Sequence, residues 1–176
     1  MVVRTPSQTI GPFFHVGLEW DRGNQVEFGA PSEKIVLTGL VYDGEGNLVS
    51  DALLETWQAD SAGKTPGPNA GSKPFGYGRA GTDANGRYTI ETVMPGASGE
   101  KYAPQLQVTL FARGLLKAVR TRVLLAATED IKEDPLVKAA GIRAGTLVAK
   151  HDASQPGVWR WDIRLQGEDE TVFIEV

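Results

Sequence analysis

Residues 35–58 read IVLTGLVYDGEGNLVSDALLETWQ, and this stretch decides the fold class. Its beginning and its end are runs rich in β-branched and aliphatic side chains, which favour strands. Between these runs, residues 43–47 read DGEGN, a composition that accommodates the positive φ angles of a tight turn. In the second run Leu53, Glu55 and Trp57 alternate with the residues between them, so they share one face. The stretch therefore predicts two strands joined by a turn.

Short apolar runs separated by turn residues recur along the rest of the chain. The sequence has 21 glycines and 10 prolines among 176 residues, above average usage, and many of them fall between the runs. Further strands are predicted at residues 87–93, 106–112, 120–126, 146–151, 159–165 and 171–175. This number of short strands is typical of a mainly β protein, and we expect an antiparallel β-sandwich with long loops.

One segment has the pattern of a short helix. Residues 128–140 begin with a threonine that can cap a helix, and Glu129 and Asp130 follow in the first turn. The segment ends before Gly141, a residue suited to the end of a helix. Pro135 lies within it, so the predicted helix is short or broken.

The expected organisation is a single domain over residues 1–176, because a chain of this length has room for one domain with a proper core. Within it we expect an N-terminal arm at residues 1–32 that contacts a partner chain, and a sandwich core at 33–176. Residues 63–74 are rich in Gly, Pro, Ser and Asn and predict a second long loop. Loops of this length in a compact domain are usually functional, disordered or packed against something else.

Charge and composition disfavour several classes of function. The chain has 18 Lys and Arg against 22 Asp and Glu, a net charge of -4, so nucleic acid is not an expected partner. No apolar run approaches the roughly 18 residues of a membrane span, and the first nine residues lack the apolar stretch of a secretory signal. The sequence has no cysteine, which fits a reducing compartment, and we expect a cytoplasmic location.

The scarcity of histidine limits the chemistry of the chain itself. Only His15 and His151 are present, and metal sites usually need three or four converging ligands. No Gly-x-Ser-x-Gly elbow and no nucleotide-binding glycine motif is found. From the residues alone, packing is the expected role of both histidines, and no bound metal is expected.

A series of short motifs, in order along the chain, resembles one family. The motifs are TPSQTIGP (5–12), GLVYDG (39–44), LETWQAD (54–60), GR (78–79), TDANGRY (82–88), MPG (94–96), FARG (111–114), TR (121–122), LQG (165–167) and ETVF (170–173). None of these motifs is specific by itself, but their number and their order along the chain are specific. Together they resemble the intradiol ring-cleavage dioxygenases, from residue 5 to the end of the chain.

The resemblance implies a β-sandwich that, in a catalytic chain, holds a non-haem ferric ion between two tyrosines and a His-x-His pair. In this chain Gln105 and Gln107 occupy the His-x-His positions, and a neutral amide is a poor ligand for Fe(III). Alanine follows Gly96, where one tyrosine is expected, and the 63–74 loop, where the other is expected, has none. Tyr77 lies too near the following motif to match and has a structural interpretation. We therefore expect ferric iron in a partner chain and none in this one.

The resemblance also implies how a chain without metal can contribute. The positions that match pocket-lining residues of such a chain are Thr9, Gly11, Pro12 and Arg113. A Gly-Pro pair forms a stiff, low wall that a flat ring can approach, and a guanidinium offers planar donors to a carboxylate. The implied function is that of a non-metal subunit in a heteromeric dioxygenase, acting on a small aromatic substrate and O2 at the interface, with higher-order assembly of the pairs.

The residues themselves leave a second function open, a metal-free β-sandwich that serves only as a binding or scaffold module. In that case Gly11 and Pro12 form an ordinary turn, and Arg113 is a solvated cation. A catalytically complete homo-oligomer would need ligands that the sequence lacks. The subunit hypothesis requires a partner that covers the apolar residues between Thr5 and His15, because such a run is unfavourable in water.

Overall fold

Two β-sheets pack face to face in the computed structural model, which describes residues 5–11, 13–28, 32–66, 76–127 and 130–175. In chain order the elements are α1 (Phe14–Leu18), β1 (Lys34–Tyr42), β2 (Leu53–Gln58), β3 (Tyr77–Gly81), β4 (Arg87–Val93), β5 (Gln105–Phe111), β6 (Val119–Leu124), α2 (Pro135–Ala140), a 3₁₀ helix (Gly141–Leu147), β7 (Lys150–His151), β8 (Val158–Arg160) and β9 (Ile163–Arg164).

The first sheet has the strand order β4-β1-β8-β7, with β9 paired to the end of β1. β1 and β4 are antiparallel, from Lys34 opposite Val93 to Leu40 opposite Arg87, whereas β8 and β9 join β1 in parallel. The second sheet, β3-β2-β5-β6, is antiparallel throughout. The predicted mainly β, antiparallel-rich sandwich is confirmed.

The main core lies between the two sheets. Leu37 and Ile90 from the first sheet meet Leu54, Leu106 and Leu110 from the second, and each is 0–1% exposed. Burial of one such side chain stabilises the fold by about 1.5–3 kcal/mol relative to an exposed position. The alternation seen in the sequence at 53–58 is therefore the alternation between this core and the outer face of the second sheet.

The strands predicted near the C-terminus are partly wrong. Residues 146–151 were expected to form one strand, but the 3₁₀ helix continues to Leu147 and only Lys150–His151 is strand. The strand predicted at 159–165 is divided into β8 and β9, because the carboxylate of Asp162, rather than a backbone carbonyl, accepts the N–H of Leu40 at 2.9 Å.

The last predicted strand, 171–175, is also wrong. Thr171 donates its N–H to the carbonyl of Arg164 at 3.0 Å, and Ile174 donates to Arg120 at 2.7 Å. These bonds go to β9 and β6, which belong to different sheets, so no regular ladder forms. The predicted strands 106–112 and 120–126 are present with ends shifted by one or two residues.

The predicted helix at 128–140 is regular only from Pro135 onwards, and residues 128–129 lie outside the described part of the chain. The cap is Asp134, whose carboxylate accepts the N–H of Leu136 at 2.8 Å and that of Ala103 at 3.1 Å. Proline is favoured at the first helical position, so Pro135 starts α2 rather than breaking it. Within the described ranges, no helix has both the length and the apolar character needed to cross a bilayer.

Three elements were not predicted, and one of them is the 3₁₀ helix (Gly141–Leu147). The helix α1 lies within the predicted N-terminal arm and has only five residues, too few for a helical period to be recognised. The strand β3, with the sequence YGRAG, contains two glycines, which lower strand propensity. A Cβ atom at Gly78 would collide with the side chain of Val26, so this glycine lets the arm pack against β3.

The arm joins the sandwich closely at residues 23–26. Val26 is buried in the main core, and it donates its N–H to the carbonyl of Glu91 in β4 at 2.8 Å, while the N–H of Glu91 donates to the carbonyl of Asn24 at 2.8 Å. Arg79 of β3 donates its N–H to the carbonyl of Gly23 at 2.8 Å. The division into an arm at 1–32 and a core at 33–176 stays a prediction.

Candidate functional site

The N-terminal arm crosses the outer face of the second sheet. At one end Thr9 Oγ1 accepts the N–H of Gly114, just after β5, at 2.8 Å. Further along, the ring of Phe14 in α1 lies 5.9 Å from that of Phe111. The carbonyl of Leu18 then accepts a bond from Arg79 of β3 at 2.8 Å. The arm thus connects the C-terminal end of β5 with the edge strand β3.

A tight turn at the end of β5 presents Arg113. Leu115 donates its N–H to the carbonyl of Ala112 at 3.3 Å, which closes the turn over Arg113 and Gly114. Gly114 has φ +90°, a conformation that favours glycine. The side chain of Arg113 is 58% exposed, and its Nε forms an ion pair with the carboxylate of Asp51, which is 15% exposed.

The structure brings together two of the four residues predicted to line a substrate pocket. Thr9 is hydrogen-bonded to the turn that carries Arg113. Gly11 is exposed, two residues further along the arm, and the space where a Cβ would stand is open. Pro12 lies outside the described residues. The substrate-binding roles of Thr9, Gly11, Pro12 and Arg113 stay predictions.

Large apolar side chains surround this end of the sheet without cover from the described part of the chain. Phe13 is 80% exposed and Val16 is 65% exposed, and both belong to the arm. Leu116, two residues after Gly114, is 61% exposed. Exposed apolar groups that cluster near a polar site often mark a contact with another molecule.

The two glutamines at the His-x-His positions lie at the other end of β5. They point to the outer face, because the alternate residues Leu106 and Val108 are buried in the core. The Oε1 atom of Gln105 is buried and accepts no hydrogen bond from the part of the chain that the structure describes, whereas Gln107 is exposed. An amide oxygen without charge does not fit a ferric ion, which prefers anionic oxygen and imidazole donors. Among the described residues, no three His, Cys, Asp or Glu side chains come together as a metal site.

The two ends of β5 are well separated. Gln107 and Phe111 are four residues apart in the strand, which corresponds to about 14 Å at about 3.4 Å per residue, and the following turn carries Arg113 beyond Phe111. The glutamines and the arginine therefore lie at opposite ends of this strand.

On the edge strand β3, aromatic side chains hold the arm to the sheet. Trp20 stacks on Tyr77 with ring centroids 6.2 Å apart, and the Arg79 guanidinium lies 4.8 Å from the Trp20 ring. Arg79 also donates to Glu55 at 3.0 Å. Burial, followed by hydrogen bonding to Glu55, raises the pKa of Tyr77 to about 12. Tyr77 therefore acts in this structure as a protonated packing residue.

The two histidines lie in separate elements. His15 belongs to α1. The imidazole of His151, at the end of β7, meets the Trp159 ring edge-on at 5.3 Å between centroids. Packing stays the predicted role of both.

An open cavity of about 800 Å³ lies elsewhere, on the outer face of the first sheet. It is lined by charged side chains such as Arg87, Lys150 and Arg160, and it includes neither Thr9 nor Arg113. Arg160 is already bonded to Asp152 at 2.8 Å, and the pKa of that carboxyl is lowered to about 2 by its bonds with Ser154 and Arg160. We therefore place the candidate site at the end of β5.

Asp51 is the residue of this site that sequence reasoning missed. Leu53 of β2 lies opposite Phe111 of β5, so Asp51 and Arg113 each lie two residues beyond the last pair at the same end of the sheet. The signal is this register, which a single sequence does not reveal because the strands are far apart in the chain. The acid itself was visible two residues before a predicted strand.

The chain belongs to the dioxygenase family, whose model, described as "Dioxygenase", matches residues 10–167. It is 42% identical to the protocatechuate 3,4-dioxygenase alpha chain of Burkholderia cepacia, over 98% of each chain. It is also 44% identical to the beta chain of the Burkholderia cepacia enzyme over 167 residues, which cover 84% of this chain and 71% of that one.

A solved structure has the same fold. The intradiol ring-cleavage dioxygenase from Tetranychus urticae superposes with a TM-score of 0.65 at 13% identity, covering 85% of this chain and 90% of that chain. The family expected from the short motifs is thereby confirmed.

Proposed function

We propose that this chain is the α subunit of a protocatechuate 3,4-dioxygenase, the chain that binds no iron in an enzyme of α and β subunits. The enzyme would cleave 3,4-dihydroxybenzoate with O2 between the two hydroxyls to give 3-carboxy-cis,cis-muconate, a step in the catabolism of aromatic compounds. The observation that carries the proposal is the combination of end-to-end similarity to alpha chains with glutamines at the metal-ligand positions.

The ferric iron is proposed to belong to the partner β chain. Gln105 and Gln107 offer neutral amides where the family resemblance implies imidazoles, and this donor set does not suit ferric iron. The beta chain of Burkholderia cepacia is itself a homologue of this chain, so an α/β pair would be built from two copies of one fold.

This chain would contribute a wall and a cation to the substrate pocket of its partner. Thr9, Gly11 and Pro12 form the wall in this proposal, and Arg113 supplies the cation. Arg113 lies on an exposed turn beyond the opposite end of β5 from the glutamine positions, which favours action on the partner's site. A guanidinium can bind the carboxylate of dihydroxybenzoate with two parallel hydrogen bonds and so orient the ring.

The partner would cover the exposed apolar side chains of the arm. Phe13 and Val16 lie beside the Thr9 contact, and burying them would both stabilise the pair and exclude water from the pocket. We further propose that the αβ units assemble into larger complexes in the cytoplasm, in keeping with a sequence that contains no cysteine.

The proposal is tested by producing this chain alone, the cognate β chain alone and the two together, and by measuring iron content and ring cleavage of 3,4-dihydroxybenzoate in each. We expect full activity only from the pair, with iron in proportion to the β chain. Stoichiometric iron in this chain alone would overturn the assignment of the metal. Equal activity of the β chain with and without this chain would favour a scaffold function instead.

A further inference from the structure

We infer that Asp51 is a positioning residue for substrate binding, because its carboxylate holds the Nε edge of Arg113 and leaves the other edge free for a ligand carboxylate. The inference rests on the proposed function, in which Arg113 faces the substrate. A guanidinium has five N–H donors arranged as a planar fork. Apart from Asp51, Arg113 has no ion pair or side-chain hydrogen bond with the described residues.

Strand pairing brings Asp51 and Arg113 to the same end of the second sheet. β2 and β5 are antiparallel, and Leu53 opposite Phe111 is the last pair of their ladder. Asp51 and Arg113 each lie two residues beyond this pair, in the connecting segments, and their side chains form an ion pair there. The meeting of the two side chains therefore depends on the pairing of the two strands.

Asp51 stands on a rigid support. The next residue, Ala52, is 0% exposed, and its N–H donates to Thr82 Oγ1 at 3.0 Å. The carbonyl of Ala52 accepts the N–H of Thr82 at 2.9 Å. Because the residue next to it is held through both its N–H and its carbonyl, and its own side chain is 15% exposed, Asp51 has little freedom to move away from Arg113.

Arg113 is held from the other side by its turn. Gly114 at φ +90° fixes the direction of the chain, and Thr9 Oγ1 accepts the Gly114 N–H at 2.8 Å. A cation fixed before the ligand arrives loses less conformational freedom on binding than a mobile one does. The ion pair of Asp51 and Arg113 differs in burial from that of Lys138 and Glu133, whose side chains are 56% and 78% exposed. Lys138 and Glu133 also lie only five residues apart in the chain.

The test uses the assembled α/β enzyme with the variant Asp51→Asn. We expect the KM for 3,4-dihydroxybenzoate to rise about tenfold with kcat little changed, because part of a charged hydrogen-bonding arrangement is lost. The inhibition constant of 4-methylcatechol, which has no carboxylate, should not change. The matched control is Glu133→Gln, which removes a carboxylate from an exposed ion pair and should leave both values as in the original enzyme.

A double-mutant cycle separates this inference from the proposed function. In the background of Arg113→Ala, Asp51→Asn should have no further effect on KM. If Arg113→Ala raises KM but Asp51→Asn does not, or if the two effects simply add, the positioning role is overturned and the proposed function stands. If Arg113→Ala itself leaves KM unchanged, the substrate-binding role of Arg113 and the positioning role of Asp51 fail together.

A second variant keeps the inference testable if Asp51→Asn does not assemble. Arg113→Lys retains the positive charge but has a single ammonium in place of a two-edged guanidinium, so it cannot serve Asp51 and the substrate with separate edges. We expect its KM to rise nearly as much as that of Arg113→Ala. A KM equal to that of the original enzyme would overturn the inference.

Discussion

The two ends of β5 carry polar side chains in opposite situations. At the C-terminal end, Arg113 has a carboxylate beside it, and the turn that bears it is tied to the arm through Thr9. At the N-terminal end, Gln105 has a buried carbonyl oxygen that accepts no hydrogen bond from the described residues. One end of the strand therefore carries a paired charged group, and the other tolerates a buried polar atom that no described residue satisfies. The proposed function assigns substrate recognition to the arginine end.

The first prediction removes the cation. Arg113→Ala in the assembled enzyme should raise the KM for 3,4-dihydroxybenzoate by about 10–100-fold, because a charged hydrogen bond to a carboxylate is lost. Bound iron, measured by metal analysis, should not change, since Arg113 is remote from any metal-ligand position. An unaltered KM would remove Arg113 from the site. Loss of iron would mean that a change at the arginine end of β5 affects metal binding in the assembled enzyme.

The second prediction concerns the turn that carries Arg113, which a substitution at Gly114 should strain. Gly114→Ala should lower the free energy of unfolding by about 1–2 kcal/mol, because φ +90° is unfavourable for a residue with a Cβ. No atom lies within 4 Å of the added Cβ, so conformational strain rather than a clash is the cause. Denaturant unfolding measures the effect. Gly145→Ala, also in open space but without the positive φ, is the control and should be nearly neutral.

The third prediction concerns the glutamine end and has the opposite sign. Gln105→Met should raise the free energy of unfolding by about 1 kcal/mol, because it removes a buried oxygen without a hydrogen bond. The exposed Gln107→Met should have little effect on stability. Ring-cleavage activity of the assembled enzyme should be unaffected by either change. A large loss of activity with Gln105→Met would show that the N-terminal end of β5 also contributes to ring cleavage.

The smallest expected effect is a pH dependence of the stability that Tyr77 contributes where it stacks on Trp20. The pKa of Tyr77 is raised to about 12, above the value of about 10 in an unfolded chain. The fold therefore favours the protonated phenol, and this contribution to stability is fully present below about pH 10 and is lost as the pH rises towards 12. Tyr77→Phe should show a shallower loss of thermal stability between these pH values. An unchanged slope would contradict the prediction.

Sequence reasoning recovered the parts of the fold in which local pattern and packing agree. The runs at 35–42 and 53–58 became strands because their apolar alternation matches the two faces of a sandwich. It failed where tertiary contacts decide the structure. β3 forms despite two glycines because it pairs with β2, and 171–175 makes hydrogen bonds to two sheets without joining either.

The candidate site was predictable to a similar degree. The resemblance supplied Thr9 and Arg113, and the structure places Thr9 beside the Arg113 turn. Asp51 could not be found in the same way, because its relation to Arg113 depends on a strand register that joins residues 62 positions apart (113 − 51). Local sequence contains no record of such a register.

The length of β5 also limits how this chain can change by insertion or deletion. One residue added between Gln107 and Arg113 would turn the arginine towards the core, because side chains alternate between faces. Two added residues would restore the face but move the arginine about 7 Å beyond Asp51. In the proposed function, an insertion or deletion in this strand is therefore expected to cost more than a substitution at its glutamine end.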